Sequence, residues 1–253
     1  LVMAAAMTMG WIVLVQLIKP GAALSIQYGF EPMDMRTGSP VFGSVLNALG
    51  HVGMNQWLRG HEIPSCTNAG FASMSKKFDY QCAQEKGLGS LIAALSGGNI
   101  HIFQGGTTGE LVYDPVLSIM DDDTAGWIGR MLEGTRVTQE TLSVDLINQV
   151  GPIPGHYLSS GDTRKHWRDE HFFPKVSDET TYPNWIQTGK KDTLDLARDR
   201  MEDILATHKP LPLTDEQERA VERMLVNARD HYRSDGLISD DEWALYTQAL
   251  EAT

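Results

Sequence analysis

The sequence predicts an α/β protein, and three observations carry that prediction. Short apolar runs, "ALSIQYG", "IPSCTNAG", "NIHIFQGG" and "PGHYLS", recur along the first two thirds of the chain. Each is apolar on both faces, as strands of a sheet covered on both sides must be. Helical patterns separate the runs, and crossovers of about a dozen residues or more are what parallel βαβ units require. With 253 residues and a hydrophobic fraction of 42%, the chain has enough apolar material for a sizeable core.

The first 18 residues, "LVMAAAMTMGWIVLVQLI", carry no charge. Length alone would permit a membrane span or a signal peptide. A basic n-region is missing, however, and Thr8, Gly10 and Gln16 dilute the run. The expectation is a buried helix of a sheet-based fold, because "KPGAALSIQ" then reads as helix end, turn and strand. The chain opens on Leu1, in the middle of an element, and is expected to be a piece of a longer protein.

After the first strand comes "EPMDMRTGSPVFG", Glu31 to Gly43. Strand-to-helix connections typically take about 2–6 residues, so thirteen residues with two prolines and two glycines suggest a working surface. Within it Asp34 and Arg36 are expected to tie the loop down. Phe42 to Arg59 is predicted helical, with Val45, Leu46, Leu49, Val52 and Trp57 among its apolar positions. The segment "KKFDYQCAQEKGLGSLIAALSG" between the second and third strands is helical as well, as are Asp121 to Leu132 and Thr138 to Val150. The last of these starts at a threonine cap with Glu140 in its first turn. From Asp162 onward charged amphipathic helices take over, broken at "HKPLPLT". The expected division is therefore 1–161 for the sheet unit and 162–253 for a helical extension. Four parallel strands with an open edge are half of a larger arrangement, since a closed (β/α)8 barrel needs eight.

The net charge of -12 argues against nucleic acid or an anionic membrane as the main partner and favours a neutral or cationic ligand. Cys66 and Cys82 fit neither a disulfide framework nor a metal spacing, which points to the cytoplasm. No metal site is expected. "SDGLISDDE" places Gly236, Ile238 and Glu242 at calcium-loop positions, yet His231 and Arg233 would occupy the first two ligand positions, so a capped helix–turn–helix is the better reading. The glycines of "QGGTTGE" lack both the Walker and the dinucleotide spacing. Gly105 and Gly106 instead suit close approach of the backbone to a ligand or cofactor. No G-x-S-x-G hydrolase motif is present.

The carboxyl ends of the four strands collect Tyr28, Phe30 and Glu31, then Asn68, then Phe103 and Gln104, then His156 and Tyr157. Aromatic faces with one carboxylate suit a quaternary ammonium ion, held by cation–π attraction of roughly 0.5–2 kcal/mol per contact. The alternative, rings that pack under the loops, stays open.

Four segments in order carry a resemblance: "IKPGAALSIQYG", "EPMDMRTGSPVFG", "MDDDTAGWIGRMLEG" and "GPIPGHYLSSGDTRKHWRDEHFFPKVSD". Together they resemble the trimethylamine methyltransferase family, whose members feed methyl groups to a corrinoid protein. The resemblance implies the C-terminal half of a (β/α)8 TIM-type barrel followed by a C-terminal helical appendage. It further implies transfer of a methyl group from a methylated amine to a corrinoid (cobalamin) carried on a partner protein. The pyrrolysine of amine-demethylating members would fall on Gly109, so the chain is similar to the pyrrolysine-lacking, glycine betaine type; Thr107 and Thr108 depart from the family's usual Leu-Glu. No general base is then needed, only a site that orients the cation, excludes water and admits the corrinoid domain. A homo-oligomer is expected. A quaternary-amine binding protein without transfer, and an inactive fragment that dimerises, are the alternatives.

Overall fold

The computed structural model describes residues 1–28, 30–67, 70–102 and 104–251. Two compact units divide the chain, Leu1–Ala206 and Thr207–Thr253. The first begins with α1 (Val2–Ile18), β1 (Ile26–Gln27), β2 (Met33–Asp34), β3 (Ser39–Pro40), α2 (Val45–Gly60), β4 (Ser65–Thr67), α3 (Tyr80–Leu95) and β5 (Ile100–His101). It continues through β6 (Gly106–Thr107), β7 (Val112–Tyr113), α4 (Pro115–Glu133), α5 (Gln139–Leu142), α6 (Val144–Val150), α7 (Gly161–Glu170), α8 (Tyr182–Gln187) and α9 (Thr193–Thr207). The second holds α10 (Asp215–Ser234) and α11 (Asp240–Glu251).

Strands β1, β4 and β5 form one parallel sheet in the order β1-β4-β5, with Ile26 beside Ser65 and Thr67 beside His101. The protein is thus a helix-dominated α/β fold, and β1, β4 and β5 sit where the first three apolar runs predict strands. The core under the sheet consists of Tyr28, Met54 and Leu58, with Ile26, Trp57 and Ile63 packed against them. A second cluster joins Val116 of α4 to Val176 and Ala197. Asp123 links the same pieces, its carboxylate accepting from the backbone N–H groups of Lys175 and Val176 at 2.7 and 2.8 Å.

The helices begin where short polar side chains satisfy free N–H groups. Ser44 caps α2, Asp79 caps α3 and Asp114 caps α4. The Asp114 cap, followed by Pro115, starts α4 one and a half turns before the expected Asp121.

Three expectations need correction. Residues 151–160 form turns and no strand. Pro152 and Pro154 remove two ladder donors there, and Gly155 N–H turns back onto the Pro152 carbonyl. The helix expected from Thr138 to Val150 breaks at Ser143, which adopts φ 47°; the Thr138 cap itself forms, as a capping box with Thr141. Helix α1 forms but is not buried: Thr8 is its one buried residue, and Met3, Met7, Trp11 and Ile18 stand exposed. An apolar surface all round the helix meets essentially one neighbour, α2, which covers a single stripe.

In the second unit Thr214 and Gln217 form a capping box on α10. Trp243 of α11 lies under the Arg233 and Arg229 guanidinium groups, at 4.4 and 5.5 Å. The calcium-like segment is a helix cap, with Glu242 accepting from Ser239 N–H at 2.9 Å and donating its own N–H to the Ser239 hydroxyl. Among the described residues no group of three His, Cys, Asp or Glu side chains could hold a metal ion, and no helix is long and apolar enough to cross a membrane.

Candidate functional site

Two antiparallel hairpins stand on the carboxyl side of the parallel sheet, β2–β3 after β1 and β6–β7 after β5. They explain the long loops. In the first, Arg36 grips Asp34 with Nε and Nη2 at 3.0 and 2.8 Å, and its backbone N–H also donates to the same carboxylate. The guanidinium holds the Asp34 carboxyl below the usual carboxylate range, and the pair ties the loop as the sequence suggested.

In the second, Gly109 at the tip has φ +65°, and a Cβ there would meet Met74 Sδ at 3.3 Å and the Phe42 ring at 3.5 Å. The Thr108 and Gly109 N–H groups donate to the Ser75 and Ser73 carbonyls, both at 2.9 Å. The tip is thereby stitched to the loop that follows β4. That loop is held to α3 by Glu85, whose Oε2 accepts from the Ser73 hydroxyl and the Met74 N–H at 2.8 Å each.

Beside Gly109 comes the residue that sequence reasoning missed. Glu110 adopts φ 68° and is half-buried. Its Oε1 is enclosed without a hydrogen-bond partner among the described residues. Burial pushes its carboxyl up to about 7, and the charge of Glu31 pushes in the same direction. The charge of Glu31, from the loop after β1, thus acts on Glu110, from the hairpin after β5. In "TTGEL" the glutamate reads as one more solvated hairpin residue; the available signal was its place next to Gly109 in a hairpin rooted at a strand end.

The other expected residues divide. Phe30 lies on Gly50 of α2, where a Cβ would strike its ring at 1.9 Å. Tyr28 is core at 4% exposure, its hydroxyl 3.0 Å from the His51 carbonyl and 2.7 Å from Asn55 Oδ1. Burial raises its pKa well above the ordinary tyrosine value. Beneath it His51 Nδ1 meets the Thr67 hydroxyl at 3.0 Å, and burial pulls the His51 pKa down to about 4. Gln104 is exposed beside the hairpin. Gly105 N–H donates to Asp121 at 2.7 Å and its carbonyl accepts from Asp114 N–H, so its backbone is fully engaged. Gly106 is paired with Tyr113 in the hairpin ladder. His156 and Tyr157 lie exposed in the turn segment after α6, outside the sheet. Asn68 and Phe103 fall outside the described residues.

The strand tips thus carry two acidic residues, Glu31 and Glu110, and comparison with known proteins supplies their context. The family model described as trimethylamine methyltransferase (MTTB) matches residues 1–231. The chain belongs to the trimethylamine methyltransferase family. It is 32% identical over 207 residues to a protein named glycine betaine methyltransferase from Desulfitobacterium hafniense (strain Y51), covering 80% of this chain and 42% of that one. Trimethylamine methyltransferase MttB of Desulfitobacterium hafniense (strain DSM 10664 / DCB-2) is 29% identical over 224 residues, 88% of this chain and 45% of its own length. The MttB of Methanosarcina thermophila is 29% identical over 202 residues, 80% and 41% respectively. The chain thus spans less than half the length of these members of the trimethylamine methyltransferase family.

Proposed function

We propose that this chain is part of a methyltransferase that moves a methyl group from a methylated amine of the quaternary, betaine type to the Co(I) of a corrinoid carried on a partner protein. The observation that carries the reading is the half-buried Glu110 carboxyl, with the Glu31 charge acting on it. Burial first and the Glu31 charge second push Glu110 up to about 7, so the site gains from a fixed positive charge, and a quaternary ammonium keeps its charge at every pH. Glu110 Oε1, enclosed and without a hydrogen-bond partner among the described residues, is available to face the positive charge of such a ligand. Phe30, Phe42 and Met74 supply soft, polarisable surface around the same tips. Asn68, Phe103 and Gln104 complete the proposed substrate shell, with Tyr28 supporting it from the core; His156 and Tyr157 belong to it only if their loop folds over the tips.

The three parallel strands and the helices between them support reading the chain as the C-terminal half of a (β/α)8 barrel with a helical extension from residue 162. The corrinoid supplies the cobalt nucleophile that accepts the methyl group. The engaged backbone of Gly105 and Gly106 fits a hairpin-supporting role better than cofactor holding, which agrees with a corrinoid that stays on its own protein. What this chain's residues do is orient the cation for in-line approach and exclude water. The exposed Met33, Met35, Leu111 and Tyr113 of the two hairpins form an apolar rim for a partner domain. Free Cys66 and Cys82 support a cytoplasmic setting, and the exposed stripe of α1 supports a homo-oligomer.

The test is spectral. Cob(I)alamin incubated with the chain and glycine betaine is expected to give methylcobalamin, faster than without protein and slower with Glu31→Gln. Glycine betaine that binds in calorimetry while the spectrum stays unchanged would replace transfer by capture. No binding and no spectral change would overturn the reading.

A further inference from the structure

One buried ion pair lies behind the strand tips, in a place the proposed chemistry does not use directly. Lys86 of α3 and Asp121 of α4 meet at 2.9 Å with side chains only 4% exposed. A pair this buried contributes little net stability, because desolvating both charges offsets their attraction. Its partners show what else it does. Asp121 Oδ2 also accepts the Gly105 N–H at 2.7 Å, at the root of the β6–β7 hairpin. Lys86 Nζ also donates to the Phe71 carbonyl, in the loop that follows β4, and lies 5.8 Å from the Phe71 ring centre. These are the two loops that the Thr108 and Gly109 N–H groups stitch together at the tip. Ser90, one turn along α3, donates to the Gly70 carbonyl of the same loop.

We infer that Lys86 and Asp121 are positioning residues: from the helix side they fix the root of the β6–β7 hairpin and the β4 loop in one register, and so hold Gly109 and Glu110 in place at the strand tips. The inference rests on reading the strand tips as the site. A hairpin of two-residue strands has too few ladder bonds to hold its own place. A charged anchor at its root, in a low-dielectric setting, makes a directional contact that apolar packing cannot replace. The apolar alternative would fill the same space and leave the hairpin free to shift.

The double variant Lys86→Met/Asp121→Leu separates the two roles, because it removes both charges together and orphans neither. The 390 Å³ cavity beside the pair, lined by Phe78, Leu117, Met120 and Leu194 among others, gives the new side chains room. The variant is expected to keep its helical circular dichroism. Hydrogen exchange at the Thr108 and Gly109 amides should accelerate by about tenfold or more, while α3 and α4 keep their protection. The Glu110 carboxyl, followed by ¹³C NMR and assigned with Glu110→Gln, should move from near neutral toward the ordinary glutamate range as the loosened hairpin exposes it to water. Unchanged hairpin exchange and unchanged Glu110 titration in the folded variant would overturn the inference. If the double variant fails to fold, Asp121→Asn decides, since it keeps an acceptor for Gly105 and loses the charge. Intermediate acceleration confined to the hairpin supports positioning, and loss of protection spread evenly over α3 and α4 refutes it. Neither readout needs substrate. Tetramethylammonium titrated into the wild-type chain checks the site separately, and absence of binding there would count against the functional reading alone.

Discussion

Glu110 and His51 set opposite pH limbs on the stability of this chain, because burial penalises the charged form of each, the deprotonated carboxylate in one and the protonated imidazole in the other. The Glu110 carboxyl titrates at about 7 in the folded chain against an ordinary 4.5. Between those values the folded state keeps a proton that the unfolded state has lost, so this group makes stability fall as pH rises, with the whole penalty present above about pH 7. His51, held at about 4 against 6.5, does the reverse. Its folded form refuses a proton the unfolded chain accepts, so stability falls as pH drops from 6.5 toward 4, by on the order of 3 kcal/mol. Glu110→Gln is expected to match the wild type in urea midpoint near pH 4.5 and to exceed it at pH 8. A constant difference across that range would mean that Glu110 is not held up in the fold. The same linkage predicts that a quaternary ammonium ligand binds more tightly as pH rises through 7 and releases a proton below it. Calorimetry in buffers of different ionisation enthalpy reads that proton directly.

At the scale of the element, the hairpins were the least legible part of the sequence. Of the caps only Thr138 was read from it; Ser44, Asp79 and Asp114 also stand where a capping side chain is needed, and Asp114 went unread because the expected helix started at Asp121. The three formed strands were legible as apolar runs, but their pairing reduces them to two or three residues, because register is decided by the neighbours. "PGHYLS" misled because its apolar content outweighed its prolines in the reading, whereas the ladder responds to the missing N–H groups. "EPMDMRTGSPVFG" and "QGGTTGE" looked like loops, and the turn signals Thr-Gly in both mark the hairpin tips. The tip itself gives a prediction. Gly109→Ala places a Cβ at φ +65°, 3.3 Å from Met74 Sδ, and costs about 1–2 kcal/mol from left-handed strain. Thermal unfolding should shift down by about 2–4 °C per kcal/mol for a chain of this size. Gly38→Ala, also at positive φ but with open space around it, should cost only the strain. Equal losses at both sites would show that Met74 and Phe42 do not crowd the tip.

For the whole molecule the question is how an acidic chain of net charge -12 keeps company with an almost bare apolar helix. Met3, Met7, Trp11, Leu14 and Ile18 recur at three- and four-residue spacing, and each is 45% exposed or more. They form one stripe on α1, apart from Ala4, which packs against the Met54 and Leu58 core of α2, and from the buried Thr8. The carboxylates that give the chain its charge are concentrated in its later helices, α9 to α11, and α1 itself carries none. Charge repulsion between copies is screened beyond about 8 Å at physiological salt. Burying apolar surface is worth roughly 25 cal/mol per Å², so pairing of two such stripes would work against the cost of association. Sedimentation of the chain is expected to show concentration-dependent dimers or larger species, with 8-anilinonaphthalene-1-sulfonate fluorescence that falls as they form. Met7→Lys/Trp11→Lys should shift the equilibrium toward monomer without lowering the thermal midpoint, since neither side chain packs in the core. A wild-type chain that stays monomeric at high concentration, or a double variant that associates as before, would show that the stripe is not what holds copies together.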